Sequence, residues 1–192
     1  MKTIQGQPMA TGEPHSRTVF AEKLRHIFDS AGRPAVVPRG EFLIREGEIE
    51  KNLYFIESGA LRVFYLTEFE EMTIRLGYKG SFINSLSSFI NGTPSEFYID
   101  AIRKTNIRVI SKQDLLNIAH ESTESLKQYV ALLESLITQQ IEREVDLLIT
   151  SPAERLKRVL QRSPNLFREI PLKYIASYLR MKPETLSRIR SS

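Results

Sequence analysis

Between Leu126 and Leu148 apolar side chains return every three or four residues without a break: Leu126, Val130, Leu133, Ile137, Ile141, Val145 and Leu148. That spacing places all seven on one stripe of a single helix. Over residues 122–150 such a helix runs roughly 40 Å, well beyond the average helix of a globular domain. Tyr129, Leu132, Leu136 and Leu147 broaden the apolar surface beyond the stripe. A helix of this kind needs cover on two sides, and the unit that precedes it covers only one. The same helix of a second subunit is expected on the other side. Residues 122–150 are therefore expected to be a dimerisation helix, with the seven stripe residues as the interface.

The chain before this helix has another texture. Short runs rich in branched and aromatic residues (Phe42–Arg45, Asn52–Glu57, Leu61–Leu66, Met72–Leu76, Phe97–Ile102 and Asn106–Ile110) are separated by Gly40, Gly47, Gly59, Gly77, Gly80 and Gly92. That is the pattern of a small all-β unit. Leu61, Val63 and Tyr65 alternate with Arg62, Phe64 and Leu66, so even the nominal outer face is partly apolar. A closed roll or a sheet covered by helices accounts for this better than an open sheet. Ser111 with Asp114 marks the start of a short helix after the strands. Ahead of them, Phe20, Leu24, Ile27 and Phe28 fall at helical spacing, and residues 1–17 read as a disordered leader.

After the long helix, Ser151-Pro152-Ala153-Glu154 reads as a new helix start: serine caps, proline needs no donor in the first turn, and Glu154 completes a capping box. We take this break as a hinge. Residues 151–192 carry ten Lys/Arg against three Asp/Glu, a balance of +7, while the preceding 150 residues balance at −3 within a total of +4. A basic end behind an acidic body points to a polyanionic partner met by that end. Within it, Leu172, Ile175, Ala176, Leu179, Met181, Leu186 and Ile189 fit two short helices joined by a tight turn, with Pro183 opening the second. The second helix would then present Glu184, Ser187 and Arg188 on one side, with Lys182 at its start, Thr185 beside them and Arg190 just beyond. Arginine can bond a guanine edge, glutamate can accept from cytosine, and serine can bond base or phosphate. Arg180 stands in the turn, where a left-handed backbone and hence glycine is common. Lys182 stands at the N-cap, where Ser or Thr would satisfy an orphan donor.

Several functions are excluded or disfavoured. The chain contains no cysteine, which removes disulfides, thiolate metal sites and thiol redox sensing and fits a cytoplasmic location. No apolar run reaches the roughly 18–20 residues of a membrane span. A metal-dependent β-roll enzyme would need His and carboxylate ligands on strands. His15, His26 and His120 all fall outside the strands, and no glycine-rich phosphate loop occurs. Neither enzyme activity, metal nor cofactor is expected.

The order β-roll, long helix, hinge and helix-turn-helix resembles the Crp/Fnr superfamily from about residue 18 to the end. The residues that carry the resemblance are GEFLIREG (40–47), LYFIESG (53–59) and PLKYIASYLRMKPETLSRIR (171–190). It implies an α+β chain with three parts: a double-stranded β-helix or jelly-roll sensor over 18–121, the dimerisation helix over 122–150, and an all-α helix-turn-helix domain over 151–192. It also implies a dimeric transcription regulator that reads an inverted repeat in double-stranded DNA and meets RNA polymerase. A sensor module whose helical tail contacts protein is the alternative. By the resemblance Glu184 and Arg188 match the family's base-reading Glu and Arg, while Pro183 replaces a further Arg of some members.

The sensor departs from the family. Cyclic-nucleotide-binding members hold the ribose with Gly-Glu and the cyclic phosphate with Arg-Ser/Thr; here Asn84-Ser85 and Ser95-Glu96 stand in those places. Residues 80–102 contain no Lys or Arg but do contain Glu96 and Asp100. Phosphate burial there would be strongly disfavoured. Phe97 and Tyr98 are expected to fill the pocket, and Gln140, which interrupts the apolar helix, either contacts a ligand or sets helix register. The effector is then a small molecule other than cAMP, or there is none.

Overall fold

The computed structural model describes residues 27–191. The leader at 1–17, and Phe20, Leu24, His15 and His26, lie outside the described residues. Residues 27–31 form a helical turn, α1. Strands β1 (Arg33–Val37), β2 (Phe42–Ile44), β3 (Asn52–Ser58), β4 (Ala60–Leu66), β5 (Glu71–Tyr78), β6 (Phe82–Ile83), β7 (Tyr98–Ala101) and β8 (Thr105–Ser111) follow, with helix α2 (Leu86–Asn91) between β6 and β7. They form two antiparallel four-stranded sheets in the orders β1-β8-β3-β6 and β2-β7-β4-β5. Val37, Tyr54, Ile56, Ile83 and Ile107 of one sheet share a buried core with Ile44, Leu61, Val63, Ile99 and Ala101 of the other. Alternate residues of the central strands (Tyr54 and Ile56, Leu61 and Val63, Ile99 and Ala101) turn inward, so two half-apolar faces close on one another. Gly59, between β3 and β4, has φ 89°, and a Cβ there would lie 2.4 Å from the Lys104 carbonyl oxygen. Only glycine fits that turn.

Six strands follow the sequence pattern and two do not. In β1 only Val37 is buried, so the strand shows no alternation, and Pro34 sits in its middle. Proline is tolerated there because β1 is an edge strand. β6 has only two residues and α2 only six.

Helix α3 (Lys112–Glu121) starts on a Ser111 side chain that accepts from the Asp114 N–H, as its sequence suggests. Helix α4 (Thr123–Leu148) is likewise capped by Ser122. It has two apolar faces. Leu132 and Leu136 are buried with Phe28, Leu53, Phe55, Phe89 and Leu115 against the β1-β8-β3-β6 sheet. The stripe faces away from the roll: Leu126, Val130, Ile137, Ile141, Val145 and Leu148 are exposed, Leu148 by 80%, and Leu133 is half-buried.

Helices α5 (Pro152–Arg162), α6 (Leu166–Glu169), α7 (Leu172–Tyr178) and α8 (Pro183–Ser191) complete the described chain. Ser151 accepts from the Glu154 N–H at 3.4 Å, the expected cap. Leu156, Val159, Leu166, Ile170, Ile175, Ala176, Leu179 and Leu186 form a second core that continues onto Ala60 and Ile102 of the roll, with Leu76 and Tyr78 packed against it. The C-terminal helices therefore rest on the outside of the β2-β7-β4-β5 sheet. At the sheet edge the Thr73 N–H donates to Ser177 Oγ at 3.0 Å, and the Ser177 hydroxyl donates to the Glu71 carbonyl at 3.3 Å.

The corner between α4 and α5 is ionic. Asp146 is fully buried and accepts from Arg158 Nε at 2.9 Å and from Arg162, with one Arg162 contact at 3.0 Å. Replacing a buried partner in such a group leaves uncompensated charge and typically costs about 3–5 kcal/mol. Arg158 retains 40% side-chain exposure and can turn to water, so the lower end applies. Asp146→Ala is expected to lower unfolding free energy by about 3 kcal/mol in urea titration. A loss under about 0.5 kcal/mol, the size of an ordinary surface substitution, would contradict this account of the corner.

Candidate nucleic-acid interface and sensor pocket

The tight turn of the helical hairpin is built as its residues require. Arg180 has φ 53° and is the only non-glycine residue with positive φ among those described. The Arg180 N–H donates to the Ser177 carbonyl and the Met181 N–H to the Ala176 carbonyl, at 3.1 and 3.0 Å. These two bonds are a Schellman motif with arginine at the position glycine usually takes. Ala176 is buried between the helices with Leu179 and Leu186, where a larger side chain would hold them apart.

Pro183 opens α8, and the Leu186 N–H bonds back to the Lys182 carbonyl at 3.1 Å, which places Lys182 at the start of the helix. Glu184, Ser187 and Arg188 are exposed together and line one shallow concavity with Pro183 and Ser191. Lys182 is exposed at the same end, and Thr185 is half-buried toward the helical core. Arg190 points elsewhere: its guanidinium lies over the Phe167 ring at 5.3 Å, which ties α8 to α6. One face of α8 thus offers a carboxylate, a hydroxyl and a guanidinium on a frame fixed by buried Leu186. A face of this inventory can meet base edges in a major groove.

Inside the roll, the residues at the cassette positions form a closed polar cluster. Asn84, Ser85 and Ser95 are buried. Ser85 Oγ and Ser95 Oγ lie 2.8 Å apart, the Phe97 N–H donates to Ser95 Oγ at 3.0 Å, and Ser95 Oγ approaches the Phe97 carbonyl at 2.8 Å. Ser95 so turns its hydroxyl onto its own loop. Both polar side-chain atoms of Asn84 are buried without a protein partner. Phe97 is half-buried against the core, with its ring near Tyr65, and Tyr98 stacks on Phe64 at 5.1 Å with its hydroxyl donating to Glu46. Gln140 is half-buried on α4, and it is the adjacent Gln139 whose Oε1 accepts from Arg75 at 3.1 Å.

The acidic part of the charge argument moves to a residue the sequence pattern did not single out. Asp100 turns out of the roll and receives both Nε and Nη2 of Arg62 at 2.8 and 3.0 Å, so its charge is neutralised. Glu96 is exposed. The buried carboxyl near the cassette is Glu50, whose backbone N–H donates to Ser88 Oγ. Its Oε1 accepts from the Asn52 N–H at 2.9 Å and the Tyr54 hydroxyl at 3.2 Å. Burial outweighs these bonds and pushes the Glu50 carboxyl from 4.5 up to about 7. Glu50 precedes β3 in a polar stretch and carries no signal of burial in its local sequence.

The described chain is a β-roll followed by a long helix with one exposed apolar face and a helix-turn-helix. Residues 34–122 match the family model of the cyclic nucleotide-binding domain, and the chain as a whole has the Crp/Fnr fold. It is similar to FixK2 from Bradyrhizobium japonicum, at 18% identity and a TM-score of 0.69 over 84% of this chain and 83% of that one. The c-di-GMP responsive global regulator CLP of Xanthomonas campestris aligns at 14% identity and a TM-score of 0.62, over 89% of this chain and 90% of its own. A structure described as a Crp/Fnr-family transcriptional regulator from Eubacterium rectale aligns at 16% identity and 0.60, over 87% and 80%. No curated protein sequence matches the chain. Among the described residues, no helix is long and apolar enough to cross a membrane.

Glu50 generates a pH prediction. Its folded value lies above its ordinary one, so between about pH 4.5 and 7 the folded chain holds a proton that the unfolded chain has released, and stability falls as pH rises through that window. At roughly 1.4 kcal/mol per unit the full effect is on the order of 3 kcal/mol. Glu50→Gln is expected to melt higher than the parent at about pH 8 and to lose that advantage near pH 4. A difference in melting temperature that stays constant across this range would refute the assignment.

Proposed function

We propose that the chain is a homodimeric DNA-binding transcription regulator of the Crp/Fnr type, without enzyme activity, acting in the cytoplasm. The observation that carries this reading is the exposed face of α8, where Glu184, Ser187 and Arg188 stand together with Lys182 at the helix start. The +7 balance of residues 151–192 supplies the electrostatic attraction for a phosphate backbone. In this reading Glu184 and Arg188 read base edges, Ser187 and Thr185 support them, and Lys182 holds phosphate. Arg190 acts by bracing α8 against Phe167. The exposed stripe of α4 supports the dimer, since six large apolar side chains on one face of a helix are a surface that water disfavours. Bound DNA would bring the regulator to RNA polymerase at a promoter.

The sensor in this reading has the family's roll without its phosphate cassette. No cation stands at the Ser95 position, Ser95 is bonded to its own loop, and Glu50 adds a buried carboxyl nearby. Cyclic AMP is therefore not the effector.

Arg188→Ala is expected to lose about 1–3 kcal/mol at the cognate site and to relax preference at one base pair. Lys182→Ala instead weakens all sequences alike and lowers the log–log salt slope by about one. Selection from random DNA should return an inverted repeat with half-sites one helical turn apart, and recovery of no two-fold sequence would defeat the dimeric reader. Ile137→Asp puts a carboxylate into the proposed seam and is expected to convert a dimer to a monomer in light scattering. If the unmodified chain is already a monomer, the interface assignment fails.

A further inference from the structure

Where β5, the β5–β6 turn, α4, α5 and the end of α7 meet, the fold encloses a cavity of about 330 Å³. This is the size of a small-ligand pocket. It is separate from the roll's cassette: Asn84, Ser85, Ser95 and Glu96 take no part in its lining. Four cations border it, Arg75 from β5, Lys79 from the turn, Arg143 from α4 and Arg162 from α5, and Glu142 is the one carboxylate among the lining residues. Glu142 approaches Arg162 at 3.4 Å, and Arg162 is further held by Asp146. That group is balanced within itself. Among the described residues, Arg75, Lys79 and Arg143 have no ion pair.

Arg143 is only 4% exposed. Its Nη2 donates to the Tyr178 carbonyl, its guanidinium lies 4.0 Å from the Tyr178 ring centre, and its Nη1 is buried with no partner at all. Burial lowers the guanidinium to about 10; Tyr178 and Asp146 offset part of this, and Arg180 and Arg155 oppose them. Arg75 donates to the neutral amide oxygen of Gln139, and burial lowers it as well. Holding unpaired guanidinium groups out of water is costly unless a counter-charge arrives. Asp146 attracts Arg143 but is itself bonded by Arg158 and Arg162.

We propose that this junction cavity is a binding site for a phosphomonoester, with Arg143, Arg75 and Lys79 taking the phosphate oxygens. Three unpaired cations suit a group with two negative charges and three terminal oxygens, and guanidinium forks bond such oxygens in pairs. The volume exceeds that of the phosphate alone and leaves room for a small organic body beside Tyr178. Arg143 also holds the end of α7, so the site touches the helix-turn-helix directly.

The test is thermal melting and titration calorimetry of the full chain with phenyl phosphate, inorganic phosphate or succinate, each against sodium chloride at matched ionic strength. Phenyl phosphate is expected to raise the melting temperature in a saturable way and to bind more tightly than inorganic phosphate or succinate. Arg75→Gln should weaken phenyl phosphate by on the order of tenfold or more, the loss of one charge-assisted contact. Arg75 is half-buried with a neutral partner, so this variant retains the fold even if Arg143→Gln does not. No shift beyond chloride, an equal shift in Arg75→Gln, or tightest binding of succinate would each overturn the proposal. Equal binding of inorganic and phenyl phosphate would reduce the site to an adventitious ion only. No DNA enters the measurement, so its result is independent of the reading of α8.

Discussion

The angle between the long helix and everything after it rests on one buried carboxylate. Asp146 lies two residues before the end of α4 and holds Arg158 and Arg162 on successive turns of α5. A single anion with two guanidinium partners fixes both the distance and the rotation of α5 against α4, which an apolar contact would leave free to slide. Arg155 fixes a third point by donating to the Ile149 carbonyl through Nε at 3.1 Å and Nη2 at 2.6 Å. The segment that reads as a hinge is thus a rigid corner in this state. Its stiffness lets the second apolar core sit in one place on the outer sheet of the roll.

The same logic of satisfied charge separates the two faces of the β2-β7-β4-β5 sheet. Arg62 points outward, where Asp100 and Glu71 both bond it and Tyr174 of α7 lies 4.7 Å from it. The carboxylates of the sheet are therefore spent on seating the helical domain. The roll's interior keeps Glu50, which burial drives toward the neutral form. Inside the roll Ser85 and Ser95 bond one another and Glu50 Oε1 is bonded by Asn52 and Tyr54, while both side-chain polar atoms of Asn84 stay unpartnered.

Legibility in the sequence followed periodicity and failed where contacts cross long distances. The stripe of α4, the caps Ser111, Ser122 and Ser151, the left-handed Arg180 and the exposed trio on α8 are all set by neighbours within a few residues, and their residues declare them. β1 was hidden because an edge strand with one buried residue has no alternation to show. The partners of Asp100 and Glu50 were hidden for another reason: Arg62 lies 38 residues from Asp100, and Ser88 lies 38 from Glu50. Residues 80–102 show in sequence that they lack a cation, but not that Asp100 pairs outward with Arg62 or that the buried carboxyl is Glu50. Gln140 was singled out for interrupting the stripe, whereas Gln139 meets the roll, because a one-residue step moves a side chain about 100° around a helix.

The end of α7 shows how far one local departure reaches. A seven-residue helix leaves its last four carbonyls without helical partners. Here the Schellman bonds from Arg180 and Met181 take the Ser177 and Ala176 carbonyls, Arg143 of α4 takes that of Tyr178, and Arg155 of α5 takes that of Leu179. Two of those partners are cations, which the negative end of the helix dipole favours. Glycine at residue 180 would relieve on the order of 1 kcal/mol of backbone strain. It would also remove the guanidinium that, with Arg155, stands near Arg143 and disfavours its charge. Three arginines, from α4, α5 and the turn itself, therefore concentrate around the turn before α8 while Asp146 and Glu142 are committed to the α5 corner. The local surplus of positive charge follows from how α7 is terminated, and within it Arg143 keeps an unmatched nitrogen at the junction of the roll, α4 and α7.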